Sequence, residues 1–136
     1  IESQIIKYEP KRIFTHHPSD LNDDHVIISK ACQVASRIFQ RKNIISPIKL
    51  IALMEIISST DWSYGKQSNN FNPNYFINIE PYIDNKVKSL FEYKNVMRPQ
   101  PHPRSESNLR ALATYRGSQS SNIYAEAFEL IYMTDF

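Results

Sequence analysis

Three of the four histidines, His16, His17 and His25, and three aspartates, Asp20, Asp23 and Asp24, fall inside the eleven-residue stretch from Thr15 to His25. Neutral imidazole nitrogen and carboxylate oxygen are the donors that suit Zn²⁺. Acids beside a ligating imidazole can also orient its ring from behind. The same residues have an ordinary structural use, with Asp23-Asp24 capping a helix and His16-His17 closing a strand. A catalytic zinc takes about three protein ligands, and this turn does not obviously supply all of them.

The elements around the stretch are those that would gather such residues. Arg12-Ile13-Phe14-Thr15-His16 has the β-branched and aromatic content of a short strand. The turn His17-Pro18-Ser19-Asp20-Leu21-Asn22 leads to a helix from about Asp23 to Gln40. Ile27, Ala31, Val34, Ala35 and Ile38 form its expected inward stripe. Asn22 or Asp23 can cap its free N–H groups, and the two acids suit the positive end of its dipole. In open α/β sheets, the carboxyl ends of strands are where ligands bind.

Upstream, Ile5 to Pro10 reads as a helix end broken by Pro10. Downstream, the apolar run Lys49 to Ile57 predicts a buried strand, and Ser58 to Pro73 a long loop with Gly65 as hinge. Tyr75 to Ile79 predicts a strand. Pro81 opens a helix to about Lys94, with Ile83, Val87, Leu90 and Phe91 inward. The Pro-rich Met97–Arg104 reads as extended. Ser105 caps a further helix, with Leu109, Leu112 and Ala113 inward and Gly117 as its stop. The tail Tyr124–Ile131 fits strand or helix, with strand favoured. Strands alternating with helices predict an α/β layer structure, taken as a single domain over 1–136.

Composition narrows the function classes. The 16 basic and 14 acidic residues give a net charge of +2 and form no long basic run, which argues against a nucleic-acid binder. A mean hydropathy of −0.46, with no stretch near the ~20 apolar residues of a membrane span, points to a soluble chain. The start, Ile1-Glu2-Ser3-Gln4-Ile5-Ile6, has no signal-peptide pattern, so a cytoplasmic location is expected. It also lacks Met and begins within an apparent helix, which reads as a fragment or a processed chain. The lone Cys32 allows no internal disulfide, and its helical setting fits a packed thiol.

Thr15–His25 resembles the second metal motif of the LmbE/PIG-L family of zinc-dependent N-acetylglucosaminyl de-N-acetylases, where an Asp-His pair follows a strand and opens a helix. The similarity continues in the family's order through Ile57-Ser58-Ser59-Thr60-Asp61-Trp62, Phe71-Asn72-Pro73-Asn74-Tyr75-Phe76, Met97-Arg98 and Pro101-His102-Pro103-Arg104-Ser105. It then runs on through Tyr115-Arg116-Gly117-Ser118-Gln119 and Tyr124-Ala125-Glu126-Ala127-Phe128.

The resemblance implies the C-terminal portion of a Rossmann-like, three-layer α/β fold and an amide hydrolase that releases acetate from an N-acetylglucosaminyl glycoconjugate. Zn²⁺ is its implied cofactor, polarising the carbonyl and activating water beside a carboxylate base. His25 is the implied zinc ligand, and Asp24 its supporting carboxylate. Some members carry an oxyanion-assisting His three residues before the zinc-binding one. That position is Asn22 here, a catalytic candidate that can donate a hydrogen bond to the oxyanion but cannot shuttle a proton, with His16 or His17 as further candidates for the task. The family's other two zinc ligands and its base belong to an upstream His-Pro-Asp-Asp type segment that this sequence does not contain. His17-Pro18-Ser19-Asp20 imitates it, with Ser19 where the base should be.

His102, Arg104, Arg116 and Trp62 are the candidate sugar-binding residues, with Tyr64 and Asp61 behind them. Arg104 has the alternative of simply preceding a helix cap, and Trp62 of a packing anchor. Arg116, Gln119 and Glu126 suit a buried polar network. The rival expectation is a catalytically inactive remnant serving as a binding or structural module. A half-domain leaves a sheet edge and apolar faces uncovered, so an N-terminal half or a second copy is the expected partner.

Overall fold

A computed structural model of the chain describes residues 1–42, 45–64 and 70–135. The architecture is α/β. In chain order the elements are α1 (Glu2–Tyr8), β1 (Arg12–Thr15), α2 (Asp23–Ala35), β2 (Leu50–Met54), β3 (Tyr75–Asn78), α3 (Ile83–Phe91), α4 (Glu106–Ser118) and β4 (Ala125–Met133). The strand order is β1-β2-β4-β3. β1 and β2 are parallel, in register from Arg12↔Leu50 to Thr15↔Leu53. β4 runs antiparallel to β2 with a register shift between Ile51 and Ala52. Two compact units result, one of Ile1–Asn74 with Phe128–Phe136, the other of Tyr75–Ala127.

In the first unit, α1 stops at Tyr8 because Glu9 turns left-handed (φ 43°) and returns its N–H to the Ile5 carbonyl at 2.9 Å. Pro10 then prevents the helix from resuming. β2 is the buried strand expected from its apolar run, with Leu50, Ile51, Ala52 and Leu53 all inside. Ile5, Ala35, Ile38, Ile45, Ile48 and Ile51 form one core cluster, with Ile13 packed against it.

α2 departs from the sequence expectation in two ways. It ends at Ala35 rather than Gln40, and Ile38–Gln40 forms a separate 3₁₀ turn. At the break, the Ser36 hydroxyl donates to the Gln33 carbonyl at 2.8 Å, taking a backbone acceptor away from the helical ladder. The inward face is also different. Ile27 (64 % exposed) and Val34 (43 %) point outward, while Ser29 is fully buried and Ala35 and Ser36 lie inside. Cys32 is half-buried on α2. Gly65, the expected hinge, lies outside the described residues.

In the second unit, Ile79, Ile83 and Ala113 form the core, with Ile77 and Tyr124 against them. Pro81 falls in a 3₁₀ turn, Glu80–Tyr82, so α3 starts at Ile83 rather than at the proline. α3 ends at Phe91 instead of near Lys94, and Phe91 is exposed rather than inward. The Pro-rich stretch is a series of turns, not an extended segment. His102 N–H donates to the Pro99 carbonyl at 3.1 Å, and Ser105 N–H to that of His102 at 3.0 Å. The expected Ser105 cap is present, its Oγ accepting from Asn108 N at 3.4 Å.

Gly117 has a different role from the expected helix stop. It lies within α4, where a Cβ would stand 2.6 Å from the Asn122 carbonyl oxygen and 2.7 Å from that of Ile123. The missing side chain permits a close backbone approach. Among the described residues, no helix is long and apolar enough to cross a membrane.

Candidate functional site

β1 ends at Thr15, so His16 and His17 emerge at the carboxyl end of a strand paired in parallel with β2. The chain turns back through Asp20 and enters α2 at Asn22, whose Oδ1 accepts from Asp24 N–H at 2.9 Å. That cap fixes where α2 begins and puts His25 in its first turn. All of these residues belong to the first unit.

Asp20 is the hub of the turn, at 1 % exposure. Its Oδ1 accepts from Asn22 N–H at 2.9 Å and from the Ser59 hydroxyl. Its Oδ2 accepts from Thr60 Oγ1 at 3.1 Å and lies 3.1 Å from His25 Nδ1. Burial alone would raise the Asp20 pKa. The Ser59 and Asn22 hydrogen bonds and the His25 contact outweigh it and hold the carboxyl below its ordinary range. The turn is tied to the segment following β2 by Leu21 N–H to Ser59 O (3.4 Å) and by Ser63 Oγ to Ser19 O.

The two remaining imidazoles differ in setting. His16 stacks on His25 with ring centroids 4.0 Å apart and planes at 23°. Nδ1 of each ring is buried without a well-aligned hydrogen bond, so the 3.1 Å approach of His25 to Asp20 is close but bent. Burial lowers the His16 pKa, the His25 ring lowers it further, and Asp20 opposes both. His17 is 2 % exposed and engaged at both nitrogens. Its Nδ1 accepts from Ser19 N–H at 3.1 Å, and its Nε2 faces Glu129 Oε2 at 3.4 Å. Glu129 also accepts from Asn72 N–H at 2.9 Å. Burial pushes the His17 pKa down despite the partly offsetting Glu129 carboxylate.

The expected site residues are therefore only partly gathered. His16, His25 and Asp20 come together. The carboxylate against His25 is that of Asp20, while Asp24 is exposed at the helix start. Asn22 is exposed and serves as the helix cap. In the same unit, Trp62 (47 % exposed) and Tyr64 (77 %) have ring centroids 5.9 Å apart, and Asp61 accepts from Ser59 N–H at 3.0 Å.

His102, Arg104 and Arg116 belong to the second unit. His102 Nδ1 accepts from Arg104 N–H at 3.0 Å. Arg116 bonds Gln119 at 2.8 Å and lies over Tyr115, and Glu126 pairs with Lys86.

Sequence reasoning placed Ser59 and Thr60 in a block that resembles the family without giving them a role, and missed Glu129. A topological clue existed for the first two. Parallel strands present their carboxyl ends side by side, and Ser59-Thr60 follows β2 as His16-His17 follows β1.

The donor set tests the implied zinc. Among the described residues, no three His, Cys, Asp or Glu side chains are arranged to hold a metal. The Asp20 oxygens are occupied by Ser59, Asn22 and Thr60, which fits an orienting carboxylate better than a ligand. The described residues do not make a zinc site by themselves.

No family model and no curated protein matches the chain. A solved structure does, the crystal structure of GalB, the 4-carboxy-2-hydroxymuconate hydratase from Pseudomonas putida KT2440. The TM-score is 0.74 at 18 % identity, covering 99 % of this chain and 57 % of that one. At this identity the likeness shows the fold alone. The chain spans little more than half of its neighbour's length.

Proposed function

We propose that the chain is part of a hydrolase of the LmbE/PIG-L type, with the Rossmann-like fold of that family, removing the acetyl group from an N-acetylglucosaminyl glycoconjugate. The observation that carries this reading is the meeting of His16, Asp20 and His25 at the carboxyl end of a parallel strand. It falls in the Thr15–His25 block that resembles the family's second metal motif. The fold neighbour is named a hydratase, and a fold that hosts addition of water to one substrate is compatible with hydrolysis of another.

In this reading His25 contributes one zinc ligand, and the others come from outside the described residues. His16, stacked on His25 and less buried than His17, is the imidazole of the pair that can meet a substrate. His17 and Glu129 brace the turn from behind. Trp62 and Tyr64 offer exposed aromatic faces to a sugar ring.

A second reading is favoured by the absence of a three-ligand group among the described residues. In it the chain keeps the fold and serves as a binding or structural module without zinc chemistry. Elemental analysis of the chain and of His25→Ala separates the two. About one zinc per chain, lost in the variant, supports the hydrolase, and EDTA-sensitive acetate release from an N-acetylglucosaminyl substrate then identifies the reaction. No zinc in either protein, with no acetate released, supports the module.

A further inference from the structure

We propose that Asp20 is the positioning residue of this site, holding His25 in the tautomer with its proton on Nδ1 so that Nε2 carries the free lone pair. The inference deepens the proposed function, on which it rests for making His25 Nε2 the atom that meets the reacting group.

The argument begins with the surroundings of Nδ1. That atom is buried, and the polar group beside it is Asp20 Oδ2 at 3.1 Å. Asn22 N–H, the Ser59 hydroxyl and the Thr60 hydroxyl all donate to Asp20, so both of its oxygens act as acceptors. An ionised carboxylate only accepts hydrogen bonds. A lone pair on Nδ1 would therefore face a second lone pair 3.1 Å away. A proton on Nδ1 turns the same contact from repulsion into attraction. In a neutral ring that leaves Nε2 as the basic nitrogen.

Asp20 is itself fixed well enough to impose this choice. Ser59 and Asn22 hold Oδ1, while Thr60 holds Oδ2 from the segment after β2. The carboxylate is clamped between two chain segments, so His25 must adapt to it. A carboxylate behind an imidazole is a common arrangement for raising the ring's basicity and fixing its direction. Asp24, the neighbour of His25 in sequence, is exposed.

The test uses the metal-free protein with ¹⁵N-labelled histidine, at about pH 8, above the ordinary imidazole pKa of about 6.5. Long-range ¹H–¹⁵N spectra distinguish a protonated Nδ1 from a protonated Nε2, with His25→Ala assigning the signals. The expected result is His25 predominantly protonated at Nδ1. Asp20→Asn shifts it toward Nε2–H, and Ser59→Ala, which leaves the His25 contact in place, retains the wild-type pattern. Wild-type His25 protonated at Nε2, or an unchanged tautomer in folded Asp20→Asn, overturns the proposal. If Asp20→Asn does not fold, the wild-type spectrum still decides. Because no metal is present, failure of this test is distinct from failure of the zinc measurement.

Discussion

Burying three ionisable groups within one turn makes their protonation part of the folding equilibrium. His16 and His17 are harder to protonate in the folded chain, because burial disfavours the imidazolium. Asp20 is harder to protonate because its hydrogen bonds favour the carboxylate. In each case the unfolded chain binds more protons between the folded and unfolded pKa values, so stability rises with pH there. The histidine contributions are complete above the ordinary value of 6.5 and decline as the pH falls toward the depressed folded values. The aspartate contribution is complete above 3.8 and declines below it. Urea midpoints measured in EDTA should therefore drop on acidification below pH 6.5 and again below 3.8. A midpoint constant from pH 8 to 5 would show that the two histidines are not buried as described. Much of this chemistry was legible in the Thr15–His25 stretch. Its partners were not, because Ser59 lies 39 positions from Asp20 and no local pattern links residues that meet only when two strands align.

Secondary elements were legible where local pattern and tertiary need agreed. The apolar run of β2 and the Asn22 and Ser105 caps are of this kind. α2 shows the opposite case, since its larger apolar residues predicted one buried face and packing chose another, with Ser29 and Ser36 inside. Gly117 is a third kind, where the residue is required but the reason is hidden until the chain folds. A Gly117→Ala methyl would meet backbone oxygens of Asn122 and Ile123, which cannot rotate away as a side-chain tip can. Despite alanine's better helix propensity, the variant should lose about 1–3 kcal/mol by urea unfolding, as overpacked sites do. Ser118→Ala, one residue on and exposed, should stay within about 0.5 kcal/mol of wild type. Equal stability of the two variants would remove the close-approach explanation.

For the whole molecule, the telling surface is in the first unit. Leu21, Ile27, Ile28 and Val34 are 59, 64, 41 and 43 % exposed, along α2 and the turn before it. β1 has β2 on one side and no strand on the other among the described residues. An apolar face beside an open strand edge favours association. The 136-residue chain should sediment as a dimer or larger species at micromolar concentration. An Ile27→Lys, Val34→Lys variant should shift toward monomer with unchanged circular dichroism. A monodisperse wild-type monomer would count against the need for a covering partner.

The second unit is nested in the first, which resumes at Phe128 after pausing at Asn74. Those two residues are direct neighbours, with Asn74 N–H donating to the Phe128 carbonyl at 3.0 Å and the Asn74 side chain accepting from Leu130 N–H at 2.6 Å. The two ends of the cut are therefore held side by side within the first unit. His16, His17, Asp20, His25, Ser59, Thr60 and Glu129 all belong to the first unit, while His102, Arg104 and Arg116 belong to the second. The histidine–aspartate cluster is therefore built without a side chain from residues 75–127.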